Sequence, residues 1–485
     1  MILFTVFLSL LFFLSLKYLR AFQIDGQLNF MPFAFLVKVT VGFIFIYVYS
    51  VYYGSEQLTA DAGRFMNESL ALTDVFYKSP SDYFRFLFNL ESKEMVHQYL
   101  SKTTHWAGDP SAVLNDSKNL VKFHSVINFI SQGYAPINMI ITCFLSLFGV
   151  YHLFHAFKNF VAIGPKWLLL FLLFAPSTLF WTSGVLKEPF LFLGIGLFCR
   201  GMIGKDKSWK RVLYVFFGVY LLMSFKVYTL VFLVLAWIVY LIVMQFKRFW
   251  VGVSAISTVT IFIFVALYFS SPNKVVNLLS NKQFDFIGIS KGGNYLRNDS
   301  TFFIFKDDQM AFLRHDSTGY FLTEKILVES AFPYQKDEPL KVMALPNKKP
   351  WNLAFRFNRC GSYIEVNYIN YSPKKLIKDI PQAINNSTFR PYFNDPGSAL
   401  KYLATLEVIV LFGFLIYAIV KRRKLSKKEK AMIVGLVVFA IIMMLLIGWT
   451  TPVLGAIVRY RFSAYLALTL IGVVLLKPKL KSSTT

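Results

Sequence analysis

The sequence has few charged residues for its length. Only 16% of its 485 residues are Asp, Glu, Lys or Arg, whereas soluble chains carry about 25%. With 56% hydrophobic residues, the chain has too little polar surface for water, which excludes a soluble enzyme and a disordered protein. Apolar runs of roughly 20 residues, long enough to cross a bilayer core, recur along it. The composition predicts a polytopic membrane protein.

Cysteine is also scarce, and the common catalytic motifs are missing. Cys143 and Cys199 lie in apolar segments and Cys360 is alone in its loop, so neither a structural disulfide nor a cysteine metal site is indicated. The sequence has no phosphate loop, dinucleotide fingerprint, zinc-binding helix or nucleophile elbow. We therefore expect no cofactor and no metal site, with a divalent cation left open, and energy supplied by an activated substrate.

Basic residues outnumber acidic ones, with 51 Lys and Arg against 26 Asp and Glu. In a soluble chain this excess would suggest a protein that binds nucleic acid. In a membrane protein, basic residues collect in cytoplasmic loops and set the orientation, so we expect no nucleic-acid partner. Cations outside those loops could hold an anionic substrate such as a lipid-linked phosphate.

The hydropathy pattern predicts an all-α polytopic protein with about eleven transmembrane helices. The first segment lacks a preceding basic region and a small-residue cleavage site, so we interpret it as an uncleaved helix rather than a signal peptide. The predicted segments are residues 2–16, 32–53, 133–155, 164–181, 186–203, 212–225, 227–246, 249–270, 402–420, 431–449 and 459–476.

Basic clusters in the short loops predict the orientation. They follow the first, third, fifth, seventh, ninth and last segments, and with eleven spans all of them fall on one side. The prediction is a multi-pass protein of the inner (cytoplasmic) membrane, with its N-terminus outside and its C-terminus inside. The predicted organisation is two helices in 1–53, an outer segment 54–132, six helices in 133–270, an outer segment 271–401, and three helices with a basic tail in 402–485.

The two outer segments differ in pattern. Residues 54–132 repeat apolar positions at helical spacing, which is typical of amphipathic helices lying against a membrane. Residues 271–401 combine turn glycines with short alternating runs such as 363–368, which predicts a small mixed α/β domain.

Ionisable residues at membrane depth are costly and usually face a cavity, a partner or a substrate. On the predicted outer face, carboxylates and cations together indicate an anion site with a base beside it. The candidates are Asp61, Arg64, Lys187, Glu188, Lys226, Arg390, Arg459 and Arg461.

Each candidate also has a structural interpretation. Asp61 could cap a helix that begins near Ala62. Lys187 and Glu188 could form a solvated helix start, and Lys226 could extend to the interface. The arginine pair, Arg459 and Arg461, could form a salt bridge with an external carboxylate.

The spacing of the arginine pair predicts a local backbone conformation. Positions two apart diverge by about 200° on a helix but share a face in an extended chain. We therefore expect residues 455–461, beginning at Gly455, to be non-helical and to line a cavity.

Four short motifs carry a resemblance to a known group. Asp61–Phe65 resembles the acidic first-loop motif of GT-C-type glycosyltransferases, although the usual paired acidic residues are reduced to Asp61, with Glu56 five residues earlier. Residues 175–184 and the arginine-pair motif 459–462 resemble stretches of bacterial polytopic membrane proteins of polysaccharide assembly. Residues 389–393 resemble a segment of Wzy-like repeat-unit polymerases.

The resemblance implies a membrane glycosyltransferase or polymerase that uses sugars linked to polyprenyl (di)phosphate at the outer leaflet, with membrane lipid and other polysaccharide-assembly proteins as partners. It implies Asp61 as the general base and the cations as phosphate ligands. A non-catalytic carrier or flippase of an anionic lipid-linked glycan, and a structural subunit of an envelope complex, remain the alternatives.

Overall fold

A computed structural model describes residues 2–19, 23–24, 28–54, 56–101, 103, 105–106, 116–256, 258, 274–298, 301–332 and 341–477. The described chain is mostly helical, with small antiparallel sheets. It divides into two compact units. The first comprises residues 1–237, 414–433 and 465–485, and the second comprises 238–413 and 434–464.

The helices of the first unit form at almost every predicted apolar segment. They are α1 (Ile2–Tyr18), α2 (Met31–Tyr47, continued by a π-helical turn to Tyr52), α3 (Ala60–Lys78), α4 (Pro80–Leu87), α5 (Lys93–Leu100), α6 (Asp116–Ser131), α7 (Ala135–Phe157), α8 (Pro165–Phe174), α9 (Pro176–Trp181), α10 (Glu188–Ile203), α11 (Ser208–Phe225) and the start of α12 (Val227–Gln245). A short ladder pairs β1 (Gln23–Ile24) with β2 (Leu28–Asn29).

The core of the first unit forms where α10 packs between α7 and α11. Gly196 of α10 makes this approach possible, because a Cβ atom there would lie 2.7 Å from the carbonyl oxygen of Gly149 in α7. Small residues let apolar helices pack closely in this way. The described parts of the polar segment 54–132 are largely helical. Helix α3 packs against α6, and its buried residues include Phe65, Met66 and Leu72.

The second unit combines helices with a sheet. Its helices are α13 (Lys274–Lys291), α14 (Pro373–Lys378), α15 (Ile380–Thr388), α16 (Leu400–Val420, shared with the first unit), α17 (Lys427–Thr450, also shared), α18 (Leu454–Tyr460) and the start of α19 (Phe462–Leu475). Its strands are β3 (Gly293–Asn298), β4 (Thr301–Phe305), β5 (Leu313–Asp316), β6 (Gly319–Leu322), β7 (Ile326–Phe332), β8 (Lys341–Ala344) and β9 (Asn352–Phe357).

Five of these strands form an antiparallel sheet in the order β8-β7-β4-β3-β9, while β5 and β6 form a separate hairpin. The register pairs Tyr295 with Ile304 and Ile304 with Glu329. A buried cluster that includes Phe305, Val328 and Trp351 covers one face of the sheet. Because side chains alternate along β7, Val328 enters this cluster while Glu329 lies on the opposite face.

Five described helices are long and apolar enough to cross a membrane: Met31–Tyr52, α7, α12, α16 and α17. The pair α18 and α19, bent by 49°, would make a sixth. The predicted count of eleven spans is therefore not established, since α1, α8 and α10 have 17, 10 and 16 residues, short of the roughly 20 that a span needs. Most of the predicted segment 249–270 lies outside the described residues.

Two local predictions are wrong. Residues 455–461 were expected to be non-helical, but α18 runs from Leu454 to Tyr460. The irregular backbone lies just before it, at Pro452, because proline cannot donate the helical hydrogen bond. Within the described residues, the alternating run 363–368 forms one isolated bridge, from Tyr363 to Val453, and no strand. Two backbone hydrogen bonds flank this bridge, from the Ile364 N–H to the Pro452 carbonyl and from the Leu454 N–H to the Ser362 carbonyl, and they pair backbone groups at the helix break.

A close helix contact in the second unit gives a test of this packing. A Cβ atom at Gly448 would lie 1.9 Å from the carbonyl oxygen of Ala383, whereas one at Gly413 would meet nothing within 4 Å. We expect Gly448→Ala to destabilise the protein by about 1–3 kcal/mol through overpacking. Gly413→Ala, the matched control, should be neutral or should stabilise its helix by about 0.5–1 kcal/mol. Thermal unfolding in detergent measures both, and equal effects would contradict the packing of α15 on α17.

Candidate functional site

The candidate residues of the first unit gather where α10 begins and α11 ends. Glu188 is in the first turn of α10, and Lys226 follows the last residue of α11. The Lys226 Nζ atom lies 3.4 Å from Glu188 Oε1, and the Glu188 side chain has no exposed surface. Glu188 and Lys226 therefore form a buried ion pair. The prediction that Lys187 and Glu188 form a helix start is right in position, but this helix start is buried rather than solvated.

Lys187 links this pair to the outer helices. Its Nζ donates a hydrogen bond to the Ser117 hydroxyl on α6 over 2.8 Å and lies 5.4 Å from the centre of the Phe65 ring on α3. Phe65 stacks on His105, whose Nδ1 atom is 2.8 Å from a carboxylate oxygen of Glu68. Lys187 is thus fixed between a hydroxyl and an aromatic face.

Asp61 and Arg64 lie on α3 itself. Asp61 is half-buried in the first turn, while Arg64 is exposed. The helix begins at Ala60 after the N-cap Thr59, so Asp61 is inside the helix and not its N-cap. Because positions i and i+4 share a helix face, Asp61 lies on the side of α3 that carries Phe65.

A rigid polar network holds α6 against α7. Asn138 donates through Nδ2 to Asn128 Oδ1 over 3.0 Å and lies 3.2 Å from His124 Nδ1. Burial lowers the pKa of His124 to about 3, so its ring is neutral at physiological pH. The network positions α6, and with it Ser117, relative to the start of α10.

The candidate arginines belong to the second unit and form their own group. Arg461 is completely buried and donates through Nη1 to the backbone carbonyls of Ser387 and Arg390. Arg390 Nη1 lies 3.1 Å from Asp395 Oδ1, and the other oxygen of Asp395 accepts from the backbone N–H of Tyr392.

Arg459 lies on α18 with 9% of its surface exposed, and its guanidinium is 5.7 Å from the Tyr460 ring. Arg461 follows the last residue of the same helix, so the two side chains diverge. The arginine pair does not present a shared face. Arg461 instead contacts the segment that carries Arg390.

Among the buried cations that the sequence analysis missed, Lys38 lies inside a candidate span. Lys38 lies within the candidate span Met31–Tyr52 with 1% exposure, and its Nζ donates to the Thr182 hydroxyl over 2.7 Å. That hydroxyl in turn donates to the carbonyl of Thr178. The signal was present in the sequence, because Lys38 is the only charged residue between positions 32 and 53. An ionisable residue inside a span is a functional candidate in its own right.

No group of three or more His, Cys, Asp and Glu side chains within the described ranges could hold a metal ion. No family model, curated protein or solved structure matches the chain.

Lys38 and Thr182 allow a stability test. Thr182→Val should destabilise the protein by about 1–3 kcal/mol, because it removes the hydroxyl that accepts from a buried ammonium. Lys38→Met should be neutral or stabilising, because it replaces a buried charged side chain with an uncharged one of similar length. The double variant should match Lys38→Met. Thermal unfolding of the three variants measures this order, and a Thr182→Val loss that persists in the double variant would contradict the pairing.

Proposed function

We propose that the chain is an integral-membrane glycosyltransferase or polymerase that acts on polyprenyl-phosphate-linked sugars at the outer face of the cytoplasmic membrane, in cell-surface polysaccharide assembly. The observation that supports this most directly is the position of Lys187. Its ammonium lies 5.4 Å from the Phe65 ring, one helical turn from Asp61, and it is adjacent in sequence to the buried Glu188–Lys226 pair. A carboxylate-bearing helix face and a cationic group thus occur in one compact unit.

The chemistry of sugar transfer matches this combination. An acceptor hydroxyl oxygen attacks the anomeric carbon, the bond from that carbon to the lipid phosphate breaks, and the phosphate leaves with the electron pair. Asp61 would take the hydroxyl proton as general base. Lys187 and Lys226 would stabilise the negative charge on the leaving phosphate, with Glu188 orienting Lys226. Arg64, which is exposed on the same helix as Asp61, would contact the sugar or its phosphate.

The arginines of the second unit are the other proposed phosphate ligands. They are Arg390, Arg459 and Arg461, and a guanidinium suits bidentate contact with phosphate. Arg461 already donates to two backbone carbonyls, so we assign it mainly to holding Arg390 in place. Arg390, with 26% of its side chain exposed, is the more accessible ligand.

The proposed function is tested by Asp61→Asn. The change keeps size and helix position, and we expect it to lower the rate of sugar transfer by about 10²-fold or more while leaving the protein folded. The assay follows labelled sugar transferred from a polyprenyl-linked donor in membrane vesicles. Asp74→Asn, an exposed position on the same helix, is the matched control and should keep full activity. Normal transfer by Asp61→Asn would remove the base assignment.

A carrier or flippase of an anionic lipid-linked glycan is the second candidate, and Lys38 is the observation that favours it. A carrier needs polar contacts along its whole path, and Lys38 places one inside a candidate span. Proteoliposomes that contain the purified chain and a lipid-linked glycan distinguish the two functions. Movement of the glycan between leaflets without any new glycosidic bond would support the carrier and contradict the enzyme.

We further propose the full topology of eleven spans, with the N-terminus outside and the C-terminus inside. Cysteines placed at the exposed positions Glu324 and Lys424, with the native cysteines replaced by alanine, report on sidedness. A membrane-impermeant maleimide added to intact cells should label position 324 and leave position 424 unlabelled until the cells are opened. The opposite pattern would reverse the topology and remove the outer-face assignment of the site.

A further inference from the structure

The mixed domain of the second unit contains a cavity that none of the candidate residues lines. It has a volume of about 180 Å³ and lies between the end of α13, the end of β4 and the outer face of β7. Its lining includes Lys291, Ile304, Lys306, Gln309, Leu327 and Glu329. At about 30 Å³ for each water, this is room for about six waters. It is too small for an oligosaccharide, whereas drug-sized ligands use about 300 Å³ or more.

Two lysines give the cavity a positive side. Lys291 Nζ donates to the Tyr368 hydroxyl over 3.0 Å and lies 5.7 Å from the centre of that ring. Burial alone would lower the pKa of Lys291, but the hydrogen bond to Tyr368 and the nearby Glu329 carboxylate raise it above its usual value. Lys306 is exposed, and its ammonium makes no hydrogen bond or ion pair with another described side chain. Lys291 is therefore charged at neutral pH.

The remaining lining offers an acceptor and an apolar wall. The Glu329 side chain is half-buried and lies near Lys291, and within the described part of the chain it makes no side-chain hydrogen bond or salt bridge. Gln309 is fixed at both ends, because its Nε2 donates to the Leu327 carbonyl and its Oε1 accepts from the Lys306 backbone N–H. Ile304 and Leu327 supply aliphatic surface. Hydrogen bonds thus hold Gln309 and Lys291 in place, while Lys306 and Glu329 are available to a ligand.

We propose that this cavity binds one carboxylate-bearing sugar unit, such as a uronic acid residue of a glycan. The lysines Lys291 and Lys306 hold the sugar carboxylate, Glu329 accepts hydrogen bonds from ring hydroxyls, and the aliphatic side chains contact the C–H face. The choice of a sugar rests on the proposed function, while the site itself is separate from the candidate residues for transfer.

The charge pattern favours this ligand over two simpler ones. A neutral sugar would leave a net positive charge in the cavity, because two lysines face the single carboxylate of Glu329. A phosphate dianion would face the Glu329 carboxylate, and like charges so close together are unfavourable. An acidic sugar offers one negative charge to the lysines and hydroxyl donors to the carboxylate, which satisfies both sides of the cavity.

The test is direct binding to the full-length chain in phosphatidylcholine nanodiscs, followed by saturation-transfer NMR. The probes are D-glucuronate, D-glucose and inorganic phosphate. We expect glucuronate to bind about tenfold more tightly than glucose, and phosphate to bind more weakly than glucuronate. Lys306→Gln should weaken glucuronate binding about tenfold and leave glucose unchanged, whereas Glu329→Gln should weaken both sugars.

Lys348→Gln removes an exposed lysine of the same domain that does not line the cavity, and it is the matched control. Equal glucuronate affinity in Lys306→Gln and Lys348→Gln would overturn the site. Phosphate binding as tight as glucuronate would overturn the sugar assignment. Because the measurement needs no transfer reaction, it separates failure of this proposal from failure of the proposed function. Loss of transfer in Asp61→Asn with normal glucuronate binding would support both.

Discussion

The buried ion pair between Glu188 and Lys226 is the constraint around which the first unit is arranged. Removing two charges from water costs several kcal/mol for each ion, so the pair is tolerated only if its geometry is fixed. Helix ends provide that geometry, because Glu188 lies in the first turn of α10 and Lys226 follows the last turn of α11. The positive dipole end of α10 stabilises the carboxylate, and the negative end of α11 stabilises the ammonium.

Aromatic residues near this pair in sequence connect α10 with α11 and α6. Phe190 of α10 stacks on Phe225 of α11 with ring centres 4.6 Å apart, and Phe123 of α6 meets Phe190 edge-on at the same separation. The pair is buried, and the low dielectric constant of a protein interior strengthens the attraction between its charges. The same packing brings Ser117 to Lys187, so the position of the cation follows from the packing of α6 on α10 and α11.

The second unit accommodates its charges in another way. Arg461 is fully buried, and backbone carbonyls at the end of α15 and just beyond it accept from its guanidinium. Asp395 compensates Arg390, and the Lys401 ammonium donates to the Asp395 carbonyl. The planar guanidinium, with five N–H donors, can contact several acceptors at once, which a lysine cannot do in the same geometry.

The sequence by itself determined the membrane character, the positions of most helices and the amphipathic nature of residues 54–132, because these depend on local hydropathy and periodicity. Hydropathy also drew attention to some of the charged residues that the structure buries, namely Lys187, Glu188, Lys226, Arg459 and Arg461. It did not determine which helices are long enough to span, since α8 ends at Phe174, two residues before Pro176. Nor did it determine that the break near the arginine pair lies at Pro452 and not at 455–461.

Only the tertiary structure decided the pairings. Glu188 meets Lys226 and Lys38 meets Thr182 across 38 and 144 positions of sequence, and Lys187 meets Ser117 across 70. Hydropathy and periodicity describe how residues relate within one helix, whereas these contacts depend on how different helices pack. The physical reason is that a buried charge is stabilised by whichever partner the packed helices bring within hydrogen-bond distance, and local sequence contains no record of that distance.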